Sequence, residues 1–438
     1  MREFPPGAKH PDIDLIQLAL GRAGYSLGAI DGTLSPRTQT ALARFRGDRC
    51  LPPVSGISEG DWRALAPFLV GYVIREARPG DSLPQLAAEF RTTASAIQTA
   101  NPGLLEREPS LGERLIIPLD FPVVPTQVRF TSLALGYVLQ GLLARYPQIS
   151  REIIGQSVAG CGLSVLRFGL GPGAVGMSAA HHGNEWITTP VLLKFLEEYA
   201  KAQAEGSTVG GLPARELYTA STLQLVPMVN PDGVDIASGA RDSGPDFEYA
   251  TYLSQNYPHI PFPDGWKANG RGVDLNLQYP AGWERAREIK FAQDFRLPGP
   301  RDYVGGGPLS EPESQALYDY TLRQTFQMIL SYHSQGQVIY WQYLDFLPEK
   351  SREIGEIFAT LSGYALEETP YESGHAGYKD WFIAHFDRPG YTIEVGLGEN
   401  PLPLEQFDEI YADNVALLAA SLVLSGPGSL LTGTKTPE

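Results

Sequence analysis

Apolar residues recur at helical spacing early in the chain. Ile13, Ile16 and Leu20 form one set, and Ala41, Leu42 and Phe45 form another. Between them, the stretch from Gly24 through Ile30-Asp31-Gly32 is rich in turn formers. Ser35-Pro36 reads as a helix cap followed by proline at the first helical position. A third short helix is expected after Ser58, near Trp62, so the pattern predicts a small three-helix unit. The period then changes. Tyr72-Val73-Ile74 reads as a strand, Leu86–Phe90 as a helix, and Leu115-Ile116-Ile117 as a closing strand. Further on, Ala174–Ala180 reads as a buried strand running into His181-His182-Gly183-Asn184-Glu185, with a helical run to about Ala202. A second apolar run, Phe326–Tyr332, ends at His333, and Glu394 is set inside the apolar strand Tyr391–Val395. Val415–Leu424 looks like a closing helix, about half the length that spans a bilayer.

The 438 residues suggest about three folding units at the usual domain size. With 43% hydrophobic and 19% charged residues the chain can build real cores, which excludes wholesale disorder. The net charge of −16 falls almost wholly on residues 120–438, because residues 1–70 and 71–119 are each nearly neutral. Two neutral modules on one acidic body are therefore expected: 1–70, 71–119 and 120–438. The acidic balance excludes a nucleic-acid partner, and no segment predicts membrane insertion. Pro118 to Pro125 reads as a stiff, extended spacer. Cys50 and Cys161 are expected to be free, buried thiols. The start MREFPPGAKHPD has no apolar core, so no secretory signal is expected. The expected location is the cytoplasm of a bacterium, or the mother cell or spore.

The first module resembles the peptidoglycan-binding domain of cell-wall hydrolases through Gly24-Tyr25, Ile30-Asp31-Gly32, Thr38, Ala41-Leu42 and Phe45. It departs where the usual glutamine after the phenylalanine is Arg46. The second resembles a LysM domain, through Gly80-Asp81-Ser82-Leu83, Ala100-Asn101-Pro102, Leu111-Gly112 and Ile117-Pro118. Pro84 is unusual there. This likeness implies a partner glycan containing N-acetylglucosamine.

His182 and Glu185 are three residues apart, which brings an imidazole and a carboxylate together on one turn. Zinc accepts such a pair, needs a third protein ligand, and keeps a position for water. Of the seven histidines, His333 is the best placed third. His181 could instead pair with Glu185 at spacing four. An acid inside an apolar strand, as at Glu394, is costly unless paired or functional.

Together these residues resemble the zinc carboxypeptidase family over residues 126–430. The resemblance implies an α/β/α domain around a mixed eight-stranded sheet, with one Zn2+ held by His182, Glu185 and His333. It makes Glu394 the catalytic acid-base and matches Gly272-Val273-Asp274-Leu275-Asn276 to a substrate-binding motif. The carbonyl-polarising arginine is assigned to Arg271, and a mobile tyrosine to Tyr371.

Two departures bear on substrate. The arginine that clamps a free terminal carboxylate in ordinary relatives is Leu277 here, and the one before the ligand glutamate is Asn184. Leucine cannot grip a carboxylate. Lys379, in Gly377-Tyr378-Lys379-Asp380-Trp381, would offer positive charge to an acidic group. An acid-holding pocket without the usual clamp suits meso-diaminopimelate. The chain thus resembles γ-D-glutamyl-diaminopimelate endopeptidases acting on peptidoglycan stem peptides, with the block Ala180–Pro190, the stretch Trp266–Asn276 and Pro300–Val304 alike. The alternative is a carboxypeptidase trimming ordinary peptides. A deacylase of small N-acyl amino acids and a catalytically dead wall-binding protein are further readings.

Overall fold

Side-chain caps and prolines begin the first helices where the pattern places them. Ser35 accepts a hydrogen bond from Thr38 N at 3.2 Å and opens the helix Pro36–Asp48. Ser58 and Asp61 form a capping box that opens Glu59–Val70, and Pro11–Arg22 is the third member. Ile13, Ile16, Leu20, Leu42, Phe45 and Trp62 fill the core between the three. Two buried polar side chains fasten the loops to it. Gln17 accepts from the backbone N–H of Asp31 and Gly32 at 3.0 and 2.9 Å, and donates to Asp31 Oδ1 at 2.9 Å. Gly32 has φ +67°, and a Cβ there would meet Asp14 Oδ1 at 2.7 Å and His10 O at 3.0 Å. Arg46 is buried, donates to both oxygens of Asp61, and reaches the carbonyls of Val54 and Gly56 at 2.7 and 2.6 Å. The departure at Arg46 is therefore a staple for the loop 50–58.

The computed structural model describes residues 2–105 and 107–426, in two compact units, Met1–Ile149 and Ser150–Glu438. The last residues of the expected catalytic domain, 427–438, lie outside the described residues. In the first unit, β1 (Tyr72–Glu76) and β2 (Arg114–Pro118) pair antiparallel around the helices Leu83–Phe90 and Ala94–Ala100. Asn101 locks this βααβ fold: its amide donates to Ile116 O at 2.7 Å and accepts from Ile116 N at 2.9 Å. Pro84 sits in the first helical turn, where no backbone donor is lost.

The proline-rich joint is not the free spacer its composition suggests. Val123 and Val124 are buried, and Arg22 and Arg145 donate to the carbonyls of Pro122 and Phe121 at 2.7 Å each. Apolar side chains among the prolines give the segment something to bury. The helix Ser132–Arg145 belongs to the same unit. Both cysteines are free, but neither is buried: Cys50 is exposed in the turn after Pro36–Asp48, and Cys161 is half-buried.

The second unit is built on the expected mixed eight-stranded sheet. Its strands are β3 (Ser150–Gln156), β4 (Gly162–Phe168), β5 (Gly173–Ser178), β8 (Ser221–Val226), β9 (Met328–His333), β10 (Val338–Tyr340), β11 (Ala365–Glu367) and β12 (Gly390–Glu394). A separate two-residue hairpin supplies β6 (Thr208–Val209) and β7 (Leu212–Pro213). The order is β11-β10-β12-β9-β5-β8-β4-β3, and β8, β5, β9 and β12 run parallel in the middle. Leu317 and Tyr320 of Pro312–Leu322 join Trp381 and Phe382 of Tyr378–Phe386 in a core cluster with Val165, Ala174 and Ile329 of the sheet. Helices Thr188–Glu205 and Phe407–Leu424 pack on each other, and the latter on β5 and β8. Among the described residues no helix is long and apolar enough to cross a membrane.

Breaking a buried ion pair strands the remaining charge, at a cost of about 3–5 kcal/mol. Arg46→Ala is therefore expected to lower the unfolding midpoint of the first unit in a denaturant titration followed by tryptophan fluorescence. Arg63→Ala removes an exposed pair with Glu59 and serves as the control that leaves the midpoint in place.

Candidate active site

Parallel strands end together at one sheet edge, so residues just past their C-termini converge. β9 lies between β5 and β12, and Glu394 stands in register with His333. β5 is followed by β8 on one side, while its other neighbour is β9. The crevice at that divergence receives His182, His333 and Glu394. Ala180 adopts a left-handed conformation (φ 51°) and turns the chain from β5 into the 3-10 turn Gly183–Glu185. Gly183 is needed there, because a Cβ would meet Gly233 O at 2.3 Å.

The side chains of His182, Glu185 and His333 point at a common centre, with one ligand atom of each within 4.8 Å of the others. Glu185 Oε1 is 2.9 Å from His182 Nδ1, and Oε2 is 2.9 Å from His333 Nδ1. The two Nδ1 atoms are 3.3 Å apart. Each ring has its far nitrogen engaged: His182 Nε2 with Asp274 Oδ1 at 3.1 Å, and His333 Nε2 with Ser331 Oγ at 3.2 Å. Asp274 also accepts from the backbone N–H of Asn276 and Asp302, at 3.1 and 3.2 Å. Lys267 donates to Glu185 Oε1 at 2.7 Å, and Ser334 N to Oε2 at 3.2 Å.

Charge states follow from these contacts. Burial works against a charged His182, but the carboxylates of Glu185 and Asp274 outweigh it and lift the ring to about 9. Burial lowers His333 despite its bond to Glu185. Burial also opposes ionisation of Glu185, yet His182 and Lys267 hold it well below the usual carboxylate range. Glu394 is pushed up to about 8 by burial and by the charge of Glu185.

A cavity of about 250 Å³ opens beside this centre, lined by His182, His333, Glu394, Asn276, Leu277 and Lys379, among others. Asn276 Oδ1 accepts from Tyr378 N at 3.1 Å. Lys379 is buried in the wall, donating to Gln342 O at 2.5 Å and Thr369 Oγ1 at 2.8 Å, and lying 2.8 Å from Asp380 Oδ1. Its charge is matched locally.

Two expected residues are not brought in. Arg271 is absent from the cavity wall; its side chain is 53% exposed and lies 3.6 Å from Glu311. The cause is the turn around Asn269, whose side chain accepts from the backbone N–H of both Arg271 and Val273 and turns the arginine outward. Tyr371 is 55% exposed, accepts from Arg285 Nε at 3.2 Å, and meets the His375 ring edge-on. Its neighbours Thr369, Pro370 and Ser373 line the cavity, but Tyr371 does not. His181 is no partner for Glu185: it stacks between His333 and Tyr378 at 5.5 and 5.7 Å.

Sequence reasoning gave no role to Lys267, Lys290, Arg301 or Asp302, all of which line the cavity. Lys267 and the Arg301-Asp302 pair lie in the stretches 266–276 and 300–304, whose likeness to wall peptidases was the available signal.

The family model described as zinc carboxypeptidase matches residues 137–417, and a peptidoglycan-binding domain model matches residues 9–60. The chain is 40% identical over 294 residues to gamma-D-glutamyl-L-diamino acid endopeptidase 1 of Lysinibacillus sphaericus, covering 65% of this chain and 70% of that protein. It is 39% identical over 281 residues to the uncharacterized protein YqgT of Bacillus subtilis, covering 63% and 73%. Carboxypeptidase A from Helicoverpa armigera shares the fold, with a TM-score of 0.51 and 18% identity over 92% of this chain and 96% of that one. Thrombin-activatable fibrinolysis inhibitor does so with a TM-score of 0.53 and 18% identity over 86% and 99%. The second unit's sheet, the convergent His182, Glu185 and His333, and a family match over most of the chain lead to one assignment: this protein belongs to the zinc carboxypeptidase family.

Proposed function

We propose that this enzyme hydrolyses the bond between γ-D-glutamate and meso-diaminopimelate in peptidoglycan stem peptides. The observation that carries the reading is the cavity itself. Leu277 stands where a clamp for an ordinary C-terminus is expected, and four cations, Lys267, Lys290, Arg301 and Lys379, line the walls together with four acids, Asp274, Asp302, Asp380 and Glu394. Such a polar lining of both signs suits a substrate that carries amino and carboxylate groups together, as diaminopimelate does. The kinship with an endopeptidase named for γ-D-glutamyl-diamino acid bonds supports it.

The donor set fits zinc: two imidazole nitrogens and a carboxylate face one point, and one side opens to the cavity. Zinc held there supplies Lewis acidity and brings the pKa of water near neutrality. Asp274 accepts the Nε2–H of His182 and so fixes the tautomer that leaves Nδ1 free as a ligand. Glu394 takes a proton from the attacking water and returns it to the leaving amine of diaminopimelate. Its carboxyl is held up at about 8 in the metal-free protein, and positive charge bound at His182, Glu185 and His333 would lower it toward the ionised form a base needs. Lys267, rather than Arg271, is the cation lining the cavity at the metal ligands, and there it steadies the Glu185 carboxylate. The peptidoglycan-binding module and the βααβ module, read as a binder of N-acetylglucosamine-containing glycan, hold the enzyme at its polymer and raise the local substrate concentration.

Incubation with L-Ala-γ-D-Glu-meso-diaminopimelate is expected to release L-Ala-D-Glu and free diaminopimelate, detected by mass spectrometry. A chelator should abolish it. Glu394→Gln should lower kcat by at least about 100-fold while zinc content stays at one per chain. Clipping of ordinary L-peptides with no cut in the tripeptide would overturn the reading in favour of a general carboxypeptidase.

Zinc uptake should also depend on pH. With His182 near 9 and Glu394 near 8 in the zinc-free protein, both hold protons at pH 7. Ligation needs a neutral His182, so binding expels its proton and affinity rises with pH up to about 9. Calorimetry in buffers of different ionisation enthalpy should register the release at pH 7. An affinity flat between pH 6.5 and 8.5 would contradict this electrostatic picture.

A further inference from the structure

Three of the four cavity cations have their charge balanced close by: Lys267 by Glu185, Lys290 by Asp302, and Lys379 by Asp380. Arg301 is different. Its Nε donates to Asp302 Oδ2 at 2.5 Å, while Lys290 donates to Asp302 Oδ1, also at 2.5 Å. One carboxylate thus serves two cations, and the pair is one negative charge short. Neither Nη1 nor Nη2 of Arg301 has a partner among the described residues. The end-on fork of the guanidinium is left open, and Arg301 lines the cavity with its side chain 42% exposed.

The open fork is also held in place. Asp302 N donates to Asp274 Oδ2, and Asp274 Oδ1 meets His182 Nε2, so hydrogen bonds run from a metal-ligand ring to Arg301. Arg301 lies within electrostatic reach of Asp274 and Glu185, at the metal end of the cavity. A planar fork with one edge fastened and the other free is the geometry that takes a carboxylate through two parallel hydrogen bonds. Leu277, in the same wall, offers no such group.

We infer that Arg301, oriented by Asp302, grips a free substrate carboxylate beside the scissile bond and selects stem peptides that carry it. This rests on the stem-peptide reading above. That substrate has three free carboxylates, of which two flank the scissile bond: the α-carboxylate of the D-glutamyl residue and the carboxylate of the diaminopimelate L-centre, the third lying at the far end of the diaminopimelate side chain.

The test measures kcat and KM for wild type, Arg301→Met and Arg301→Lys on three tripeptides. These are L-Ala-γ-D-Glu-meso-diaminopimelate, the same peptide amidated at the D-glutamyl α-carboxylate, and the same peptide amidated at the L-centre. Arg301→Met should lose roughly 30- to 100-fold in kcat/KM on the parent, mostly through KM. On the peptide that lacks the gripped carboxylate it should lose less than about threefold, and that peptide identifies the group. Arg301→Lys should recover part of the loss on the parent. Zinc content and melting temperature establish that each variant is folded. An equal loss on all three peptides, or none on the parent, overturns the inference while leaving the function in place. Failure of the wild type to cut any of the three overturns the function and this inference with it.

Discussion

A carboxylate that reaches almost no solvent persists only if positive charge and donors converge on it. Glu185 is such a group, at the mouth of a parallel sheet. His182 and His333 approach it from two strand ends, Lys267 from the loop below, and the Ser334 backbone N–H closes the set. Most features of the crevice can be traced to that need. Asp274 compensates His182, the loop after residue 266 must turn its lysine inward, and β9 must end at His333. The negative charge then acts on its surroundings. Burial, with that charge added, holds Glu394 protonated to higher pH than an isolated carboxyl.

Residues anchored to regular elements were legible from the sequence, and residues in loops were not. His182, His333 and Glu394 follow or end apolar strands, and strand ends in a parallel sheet meet at one edge. Register then leaves little freedom: Glu394 stands opposite His333 because β12 pairs with β9. The βααβ unit and the three helices were legible for the same reason, through period and caps. Arg271 and Lys267 show the limit. They are four residues apart in one irregular stretch, and spacing says nothing about which faces the cavity. The deciding contact is Asn269, whose bonds to two backbone amides turn Arg271 out. Tyr371 lies in a similar loop and likewise faces away. The proline-rich joint was misread because stiffness is local, whereas burial of Val123 and Val124 depends on what surrounds them.

The first unit uses polar residues inside its core more than composition suggests. Gln17 and Arg46 are each buried and each satisfied by loop backbone, so both loops are held by side chains from helices. Such networks hold a shape only when complete. The Arg46 substitution is therefore matched by Asp61, by the carbonyls of the loop 50–58, and by the capping box that shares Asp61.

The run from His182 through Asp274 and Asp302 to Arg301 changes character at Asp302, which meets Arg301 through its carboxylate and Asp274 through its backbone N–H. A side-chain change at Asp302 would release Arg301 while the main-chain donor to Asp274 stays in place. In evolutionary terms the two traits are separable: this stretch of the cavity lining can drift without loosening the carboxylate that steadies the His182 ring.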